Sequence, residues 1–466
     1  MKQGTITIFI LLFSIYSNAQ NGENAVNRDS LTEARLKMIE ENRLARTYFE
    51  INYQNNPQAA IDSANRAEEL RRRPQGIKRL TEYQSNTRID TLKEINLTAA
   101  GLTRIPDFVF EAKALELLLL DHNSIKRLPK ELANLTNLKR VYWRANNLEQ
   151  FFWIRIPKIA GLEKLDISNN LLTRLPSGVK RLDGLKELVL DENFFPEIPI
   201  KRLGKADFVE TLSLNKSHQI QIGEGKYESL SFLKTLKINH SNIAEIHPDF
   251  YGLKGLNELQ LQENQLVSFP AGISNMKSLT KLSFYKNKLK ELPLDLFDLK
   301  LKVIDLYYNE LEVIPTEICN LKELEILYMA HNRIYELPES LGALTNLDEI
   351  YLHHNRLSVL PSSLSELTKV RVARVNDNYL AEFPSQFLGM AYLEEFDVSN
   401  NQITEIPQEL DDLSSLKLFN YQENPIDFNA PDNRGLSPMI FQMIDRGVIC
   451  VPRVYKEEVR EEEQVN

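Results

Sequence analysis

Tyrosine, histidine and arginine side chains recur at nearly regular intervals between residues 285 and 374. Phenol and imidazole rings offer flat apolar faces with polar edges, and arginine adds a cation, so such a set is suited to binding another molecule. Imidazole nitrogens are also common zinc ligands, so a metal site has to be weighed beside a binding surface. The candidate binding residues are Tyr285, Tyr307, Tyr308, Tyr328, His331, Tyr351, His353, His354 and Arg374.

These residues lie within a repeated phrase of about 23 residues, L-x-x-L-x-L-x-x-N-x-L-x-x-L-P, which occurs fifteen times between Leu92 and Asn429. In clean copies such as LEILYMAHNRIYELP from Leu324, apolar residues alternate as they do in a short strand with one buried face. Asparagine stands ninth in twelve copies, where a buried amide can bind backbone groups of its own and neighbouring turns. Because one turn cannot bury its own apolar face, the turns must stack. We therefore predict an α/β fold, a right-handed curved solenoid with a parallel concave sheet of about 15 strands.

The phrase resembles that of the leucine-rich repeat family, in the L-P subclass shared with Ras-suppressor-type repeat proteins. Copies such as LELLLLDHNSIKRLP from Leu115 and LDEIYLHHNRLSVLP from Leu347 carry the resemblance, which covers roughly three quarters of the chain. The resemblance implies a horseshoe-shaped scaffold that contacts other proteins, and it does not identify the partner.

The candidate residues belong to the predicted concave face. Positions 3, 5, 7 and 8 of each phrase are expected to face the hollow, because positions 4 and 6 face the core. The fourth to eighth copies place mostly polar residues there, such as Lys164, Glu187 and Gln260, whereas the ninth to thirteenth copies place the candidate set. Stacked tyrosines also stabilise a sheet without any ligand, and this alternative stays open. We favour a binding surface, since the polar copies show that the sheet does not need aromatic side chains.

Metal binding and catalysis are the less favoured interpretations. His331 and His354 directly precede the recurrent asparagine, as polar residues at a solvent-facing bend would, and the nearest carboxylate that could join a ligand set is Asp377, one repeat above. The segment GEGKYES at Gly223–Ser229 lacks the spacing of a phosphate-binding loop. We therefore predict a protein that is not an enzyme and has no metal or cofactor.

The two ends of the chain differ from the repeats. An apolar run and a small-residue junction at Ser17–Gln20 predict a cleaved signal peptide at residues 1–19, and the junction resembles those of Bacteroidota-type bacteria. Residues 20–88 are predicted to form a helical N-terminal cap, in which one helix runs from Pro57 to Arg72. Residues 89–429 hold the repeats. Residues 430–466 are predicted to form a C-terminal cap, with a short helix and a closing strand, and an acidic tail.

Charge and hydropathy narrow the class of partner. The net charge of −9 and the lack of a basic stripe argue against nucleic acid. The densest basic run, Arg71–Pro74, is interpreted as a helix end, where cations are favourable. No apolar run reaches the length of a membrane span. The sequence thus predicts an exported scaffold, located in the medium, in the periplasm or at the cell surface. We expect this scaffold to bind another macromolecule, and we favour a protein. A carbohydrate-binding or cell-surface adhesin is the alternative.

Overall fold

The computed structural model describes residues 57–148, 156–205, 208–217, 220–428 and 436–451. The chain divides into two units, residues 1–66 and 67–466, and only the start of one helix is described in the first. The predicted signal peptide, most of the predicted cap before Pro57 and the tail beyond Val451 lie outside the described residues.

Sixteen short strands form one open, curved parallel sheet in which each strand pairs with the next one in the sequence. Equivalent positions pair in register, as Val303 does with Ile326 and Ile326 with Glu349. Equivalent side chains therefore form columns along the concave face. The predicted parallel solenoid is confirmed. The strands are β1 Glu94–Asn96, β2 Leu117–Leu119, β3 Arg140–Tyr142, β4 Lys164–Asp166, β5 Glu187–Val189, β6 Thr211–Ser213, β7 Thr235–Lys237, β8 Glu258–Gln260, β9 Lys281–Ser283, β10 Val303–Asp305, β11 Ile326–Tyr328, β12 Glu349–Tyr351, β13 Val372–Arg374, β14 Glu395–Asp397, β15 Leu418–Asn420 and β16 Ile449–Val451.

Most repeats return to the next strand through a short 3-10 helix. In several of them, the proline of the L-P pair is the residue just before the helix, as Pro315 is with φ −61° and ψ 148°. Proline suits this place because its φ is fixed and a helix start does not need its N–H. A four-residue α-helix, α2 (Ile200–Leu203), takes this place in the fifth repeat. The 3-10 helices are Ile89–Thr91, Asp107–Glu111, Lys130–Asn134, Val179–Arg181, Tyr227–Leu230, Pro248–Gly252, Ile273–Asn275, Leu294–Asp298, Thr316–Asn320, Glu339–Ala343, Ser362–Glu366, Ser385–Phe387 and Gln408–Asp412.

Buried asparagines join each turn to the turn before it. The side-chain amide of Asn332 donates to the carbonyl oxygens of Leu306 (2.9 Å), Met329 (3.0 Å) and Ala330 (3.2 Å), and its oxygen accepts the N–H of Leu311 (3.1 Å). Two of these partners belong to the preceding repeat and two to its own. The same arrangement recurs through the described repeats, and we call it the asparagine ladder. The predicted role of the ninth-position asparagine is confirmed.

Serine replaces asparagine in the sixth and seventh repeats. Ser241 Oγ donates to the carbonyl oxygen of Asn239 (2.9 Å) and accepts the N–H of Ser217 (3.1 Å). Ser217 Oγ, in contrast, is buried and has no hydrogen-bond partner among the described residues. A serine therefore reproduces only part of the ladder.

The residue before the asparagine position is left-handed in all fifteen repeats, with φ between 51° and 57°. Few residues other than glycine adopt this conformation readily, and asparagine, aspartate and histidine are the best of them. Sequence analysis identified a bend here but not the positive φ, because the position also accepts alanine, glutamate, lysine and tyrosine. The left-handed residues are Ala99, His122, Ala145, Asn169, Glu192, Lys216, His240, Glu263, Lys286, Tyr308, His331, His354, Asp377, Asn400 and Glu423.

The part of helix α1 (Pro57–Gln84) that belongs to the second unit covers the outer edge of β1. Arg79 donates to the carbonyl oxygens of Asn96 (3.3 Å) and Thr98 (2.7 Å), and the hydroxyl of Tyr83 accepts the N–H of Asn96 (3.1 Å). These bonds occupy backbone groups that an edge strand would otherwise leave open.

The prediction that this helix ends at Arg72 is wrong, because the helix continues through Pro74. The bonds of the following turns to β1 stabilise a helix that proline alone would end. Gly76 permits the close approach, since a Cβ there would lie 2.2 Å from the carbonyl oxygen of Ala99. The basic run Arg71–Pro74 thus lies inside a helix and not at its end.

The last described segment closes the other end of the sheet. Helix α3 (Leu436–Asp445) buries Leu436, Met439, Ile440 and Met443, and β16 pairs with β15. Arg446, just after the helix, bonds the carbonyl oxygen of Asp411 (2.8 Å). The predicted short helix and closing strand are confirmed.

We expect the asparagine ladder to be a main source of stability. Asn355→Ala removes the hydrogen bonds to three carbonyl oxygens and to the N–H of Ile334, and leaves those groups buried. The free energy of unfolding should fall by at least about 2 kcal/mol. Ser217→Ala, which removes a buried hydroxyl without a described partner, should cost less than about 0.5 kcal/mol. Guanidinium unfolding followed by circular dichroism checks both, and equal losses would contradict the ladder's role.

The left-handed position predicts an unusual order of substitutions at Glu423, which is exposed and has φ 57°. Glu423→Val should be about 1–2 kcal/mol less stable than Glu423→Gly, because a β-branched residue is strained at positive φ. The same pair at exposed Gln402 is the control, where valine should equal or exceed glycine. Thermal unfolding of the four variants measures these differences in stability. Equal stability of Glu423→Val and Glu423→Gly would show that the positive φ imposes no strain.

Candidate functional site

The nine predicted binding residues lie together on the concave face, on five neighbouring repeats, and we call them the aromatic patch. Their rings contact one another from Tyr285 to Tyr351, and the guanidinium of Arg374 lies over the last ring. Strand register explains the grouping, because residues at the same repeat position become neighbours. Most of the patch residues are half-buried, whereas Tyr308 and His354 are exposed.

Tyr307 is the centre of the aromatic patch. Its ring centroid lies 5.6 Å from that of Tyr328, 6.3 Å from Tyr351 and 5.4 Å from His353. Its hydroxyl forms a 3.0 Å hydrogen bond with Nε2 of His353. Packing on several sides fixes this ring before any ligand arrives.

Three left-handed residues stack face to face beside this centre. The ring centroids of Tyr308 and His331 lie 4.0 Å apart at an angle of 8°, and those of His331 and His354 lie 4.0 Å apart at 21°. Tyr285 packs edge-on against Tyr308 at 5.6 Å. In the described part of the chain, no group of three or more histidine, cysteine, aspartate or glutamate side chains converges as metal ligands. The imidazoles of His331 and His354 are thus stacked as part of a surface.

Tyr328, Tyr351 and Arg374 form another column, in which the last residue is a cation. Tyr328 and Tyr351 pack at 4.9 Å, and the guanidinium of Arg374 lies 5.6 Å from the ring centroid of Tyr351. Arg374 also donates to Glu395 Oε2 at 3.0 Å, and the Tyr351 hydroxyl donates to Glu349 Oε2 at 3.0 Å. The arginine is therefore held by a ring on one side and a carboxylate on the other.

Carboxylates border the aromatic patch, and sequence analysis did not include them in the site. Asp305 accepts hydrogen bonds from the Ser283 hydroxyl (2.7 Å) and the Tyr307 N–H (3.2 Å). Asp377 Oδ2 lies 3.3 Å from Nε2 of His354. The signal that could have found them is their repeat position, because they share the same concave columns as the rings.

Burial keeps the centre of the aromatic patch uncharged at neutral pH. It lowers the pKa of His353 to about 4, with the neighbouring imidazoles and Arg374 adding to the shift. Burial also lowers the pKa of His331 and raises the pKa values of Tyr307 and Tyr351 above their ordinary range. The rings of Tyr307, Tyr351 and His353 are therefore neutral and present electron-rich faces close to the bordering carboxylates.

A smaller tyrosine site lies at the start of the sheet. Tyr142 has the guanidinium of Arg144 at 5.3 Å and the ammonium of Lys164 at 5.7 Å from its ring centroid. Arg144 is bound to Asp121 through Nη2 (2.6 Å) and Nε (3.0 Å). Beside it is a cleft of ≈460 Å³ between α1 and the first strands, lined in part by Arg79 and Leu119. Its cations are paired within the protein, so we regard it as part of the cap contact.

Comparison with known families and proteins agrees with the repeat pattern. One leucine rich repeat family model matches residues 231–289 and 277–334. A second leucine rich repeat model matches residues 161–182 and 392–413. Ras guanine nucleotide exchange factor V of Dictyostelium discoideum is 29% identical over 175 residues, which are 34% of this chain and 8% of that protein. Podocan of Mus musculus is 28% identical over 218 residues, 40% of this chain and 31% of that protein. The chain thus spans less than a third of the length of these relatives.

Solved structures share the architecture over a longer stretch. A leucine-rich repeat protein of Leptospira interrogans has a TM-score of 0.63 and 24% identity, covering 80% of this chain and 97% of that one. The Toll–Spätzle complex of Drosophila has a TM-score of 0.59 and 19% identity, covering 74% of this chain and 52% of that one. Among the described helices, none combines the length and apolar character needed to cross a membrane. The matched repeats and the shared architecture support the leucine-rich repeat family for this chain, and its fold is a leucine-rich repeat solenoid.

Proposed function

We propose that this protein is a non-catalytic scaffold that binds a partner protein through the aromatic patch. The observation that carries the proposal is the continuous network of mostly half-buried rings on four neighbouring repeats, which Arg374 extends to a fifth. Tyrosine and arginine are enriched where binding energy is concentrated, because they combine large contact area with polar tips.

The strongest alternative explanation is that the rings only stabilise the sheet. The same sheet is built with polar side chains elsewhere, where the Ser213 hydroxyl donates to Asp191 at 2.6 Å in place of a ring contact. Backbone pairing there is as regular as it is under the rings. Sheet formation therefore does not require five tyrosines in adjacent repeats.

Preorganisation supports binding as well. Tyr307 is fixed by ring contacts and by its bond to His353, so little side-chain entropy remains to be lost on association. Tyr308 keeps 42% of its surface exposed beside these fixed rings. The patch combines ordered rings with accessible faces.

The size of the surface favours a macromolecule over a small molecule. Five strands at about 4.8 Å spacing extend roughly 20 Å along the sheet. The neighbouring concave residues continue the surface in both directions, so a folded protein or an extended peptide could contact several repeats. A carbohydrate is the alternative ligand, since sugar rings also stack on tyrosine.

Export is part of the proposal and rests on the sequence of residues 1–19. We infer that they direct the chain out of the cytoplasm, and that the mature protein starts at Gln20 with a cap at residues 20–88, repeats at 89–429 and a C-terminal cap. The compartment would be the periplasm, the cell surface or the medium.

Affinity capture from native extracts tests the binding surface. The triple variant Tyr307→Ala, Tyr328→Ala, Tyr351→Ala should lose at least about 2 kcal/mol of binding free energy toward the captured protein, because it removes the centre of the patch. The matched control replaces Tyr335, Tyr379 and Tyr392, which are 51%, 54% and 63% exposed and lie outside the patch.

The control triple should retain the partner at wild-type affinity, with both variants shown to be folded by circular dichroism. A partner kept equally by the patch variant would place binding elsewhere and contradict the proposal. Patch-dependent binding to a glycan array with no captured protein would favour the carbohydrate alternative.

The neutral state of His353 predicts a pH dependence of stability. Its folded pKa of about 4 lies below the ordinary value of 6.5, so the unfolded chain takes up the proton first as the pH falls. The free energy of unfolding should therefore decrease between pH 6.5 and pH 4. His353→Gln should remove part of this decrease, whereas His247→Gln, at a histidine that is 42% exposed, should not. Urea unfolding at pH 7.5, 6 and 4.5 measures the free energy of unfolding. The same pH dependence in His353→Gln as in the wild type would show that the histidine is not buried as described.

A further inference from the structure

We propose that the partner presents a basic side chain, arginine or lysine, to the face of Tyr328 between the carboxylates of Asp305 and Glu349. This inference rests on the proposed function and specifies the chemistry of the partner. It would make Tyr328, which packs against Tyr307, a cation-binding position within the aromatic patch.

The concave face already contains this arrangement in occupied form. Arg144 and Lys164 both lie over Tyr142, and Arg374 lies over Tyr351. Each of these cations also contacts a carboxylate on an adjacent repeat. The carboxylate partners are Asp121 for Arg144 at 2.6 Å, Glu187 for Lys164 at 2.6 Å and Glu395 for Arg374 at 3.0 Å.

Each occupied site thus has three parts, a tyrosine face, a cation and a carboxylate on a neighbouring repeat. Such a cation is attracted by the electron-rich ring face and by the full charge of the carboxylate. Their recurrence along one face indicates that the strand spacing brings the three groups into suitable contact.

Tyr328 has two of the three parts. It packs against Tyr307 at 5.6 Å and Tyr351 at 4.9 Å, and is half-buried. Asp305 precedes it by one repeat in its own column, and Glu349 lies on the next strand. The pKa of the Tyr328 phenol is raised by burial and then by the charges of these two carboxylates, so both act on this ring.

Two arginines of the thirteenth repeat, Arg371 and Arg374, are engaged with other groups. Arg374 is held over Tyr351 by Glu395. Arg371 donates to Asp348 through Nε (2.6 Å) and Nη2 (2.5 Å), and its Nη2 is 3.9 Å from Glu349 Oε1. In the described residues no cation lies over the ring of Tyr328, so a cation from a partner would complete the arrangement.

The experiment measures binding of two peptides to the full-length protein by surface plasmon resonance. One peptide has nine arginines, and the other has nine citrullines, which keep the shape of arginine but carry no charge. The variants are Tyr328→Leu, which keeps apolar area without a ring face, Tyr328→Phe, which keeps the ring, and Glu349→Gln. Exposed Tyr335 and Glu312, outside the patch, supply the control variants Tyr335→Leu and Glu312→Gln.

We expect the arginine peptide to bind and the citrulline peptide not to bind. Tyr328→Leu and Glu349→Gln should each weaken the arginine peptide about tenfold, whereas Tyr328→Phe and both controls should match the wild type. Equal binding of the two peptides, or equal losses in the patch and control variants, would overturn the inference.

A second comparison separates this inference from the proposed function. A captured protein that is lost by the triple alanine variant and weakened by Glu349→Gln supports both. A captured protein that is lost by the triple variant but binds Glu349→Gln as it binds the wild type leaves the proposed function standing and overturns the cationic contact.

Discussion

The asparagine ladder is the interaction on which the rest of the structure depends. Each amide bonds backbone groups of two successive repeats, as Asn332 does with Leu306 and Met329, and so fixes the register of one strand against the next. A buried amide without these partners would cost more than the bonds contribute, so the spacing of the repeats is tightly constrained. Where serine replaces asparagine, as at Ser217, this constraint is weaker.

Register converts a pattern in the sequence into a surface. Because the ladder keeps each strand aligned with the next, Tyr328 and Tyr351 become neighbours in space although they are separated along the chain. The left-handed residue beside each asparagine adds a second column, in which Tyr308, His331 and His354 stack. The same backbone thus provides structural bonds on its inner side and ring contacts on its concave side.

The solenoid, the ladder position and the members of the aromatic patch could be predicted from the sequence, because these depend on local periodicity. The end of α1 could not, because tertiary contacts override local preference there and the helix continues past Pro74 through its bonds to β1. The positive φ at the eighth position could not be predicted either, since many residue types occupy that position. The carboxylates Asp305 and Glu349 were not recognised as part of the site because their role depends on the neighbouring rings.

Binding of a protein at the aromatic patch would cover the tyrosines of that patch. Chemical footprinting with a tyrosine-selective reagent, performed on the protein alone and with its captured partner, measures this protection residue by residue. Tyr308 and Tyr285 should lose reactivity when the partner is bound, while Tyr335 and Tyr379, exposed outside the patch, should keep theirs. Protection of Tyr335 and Tyr379 with unchanged reactivity at Tyr308 and Tyr285 would show that the partner binds elsewhere.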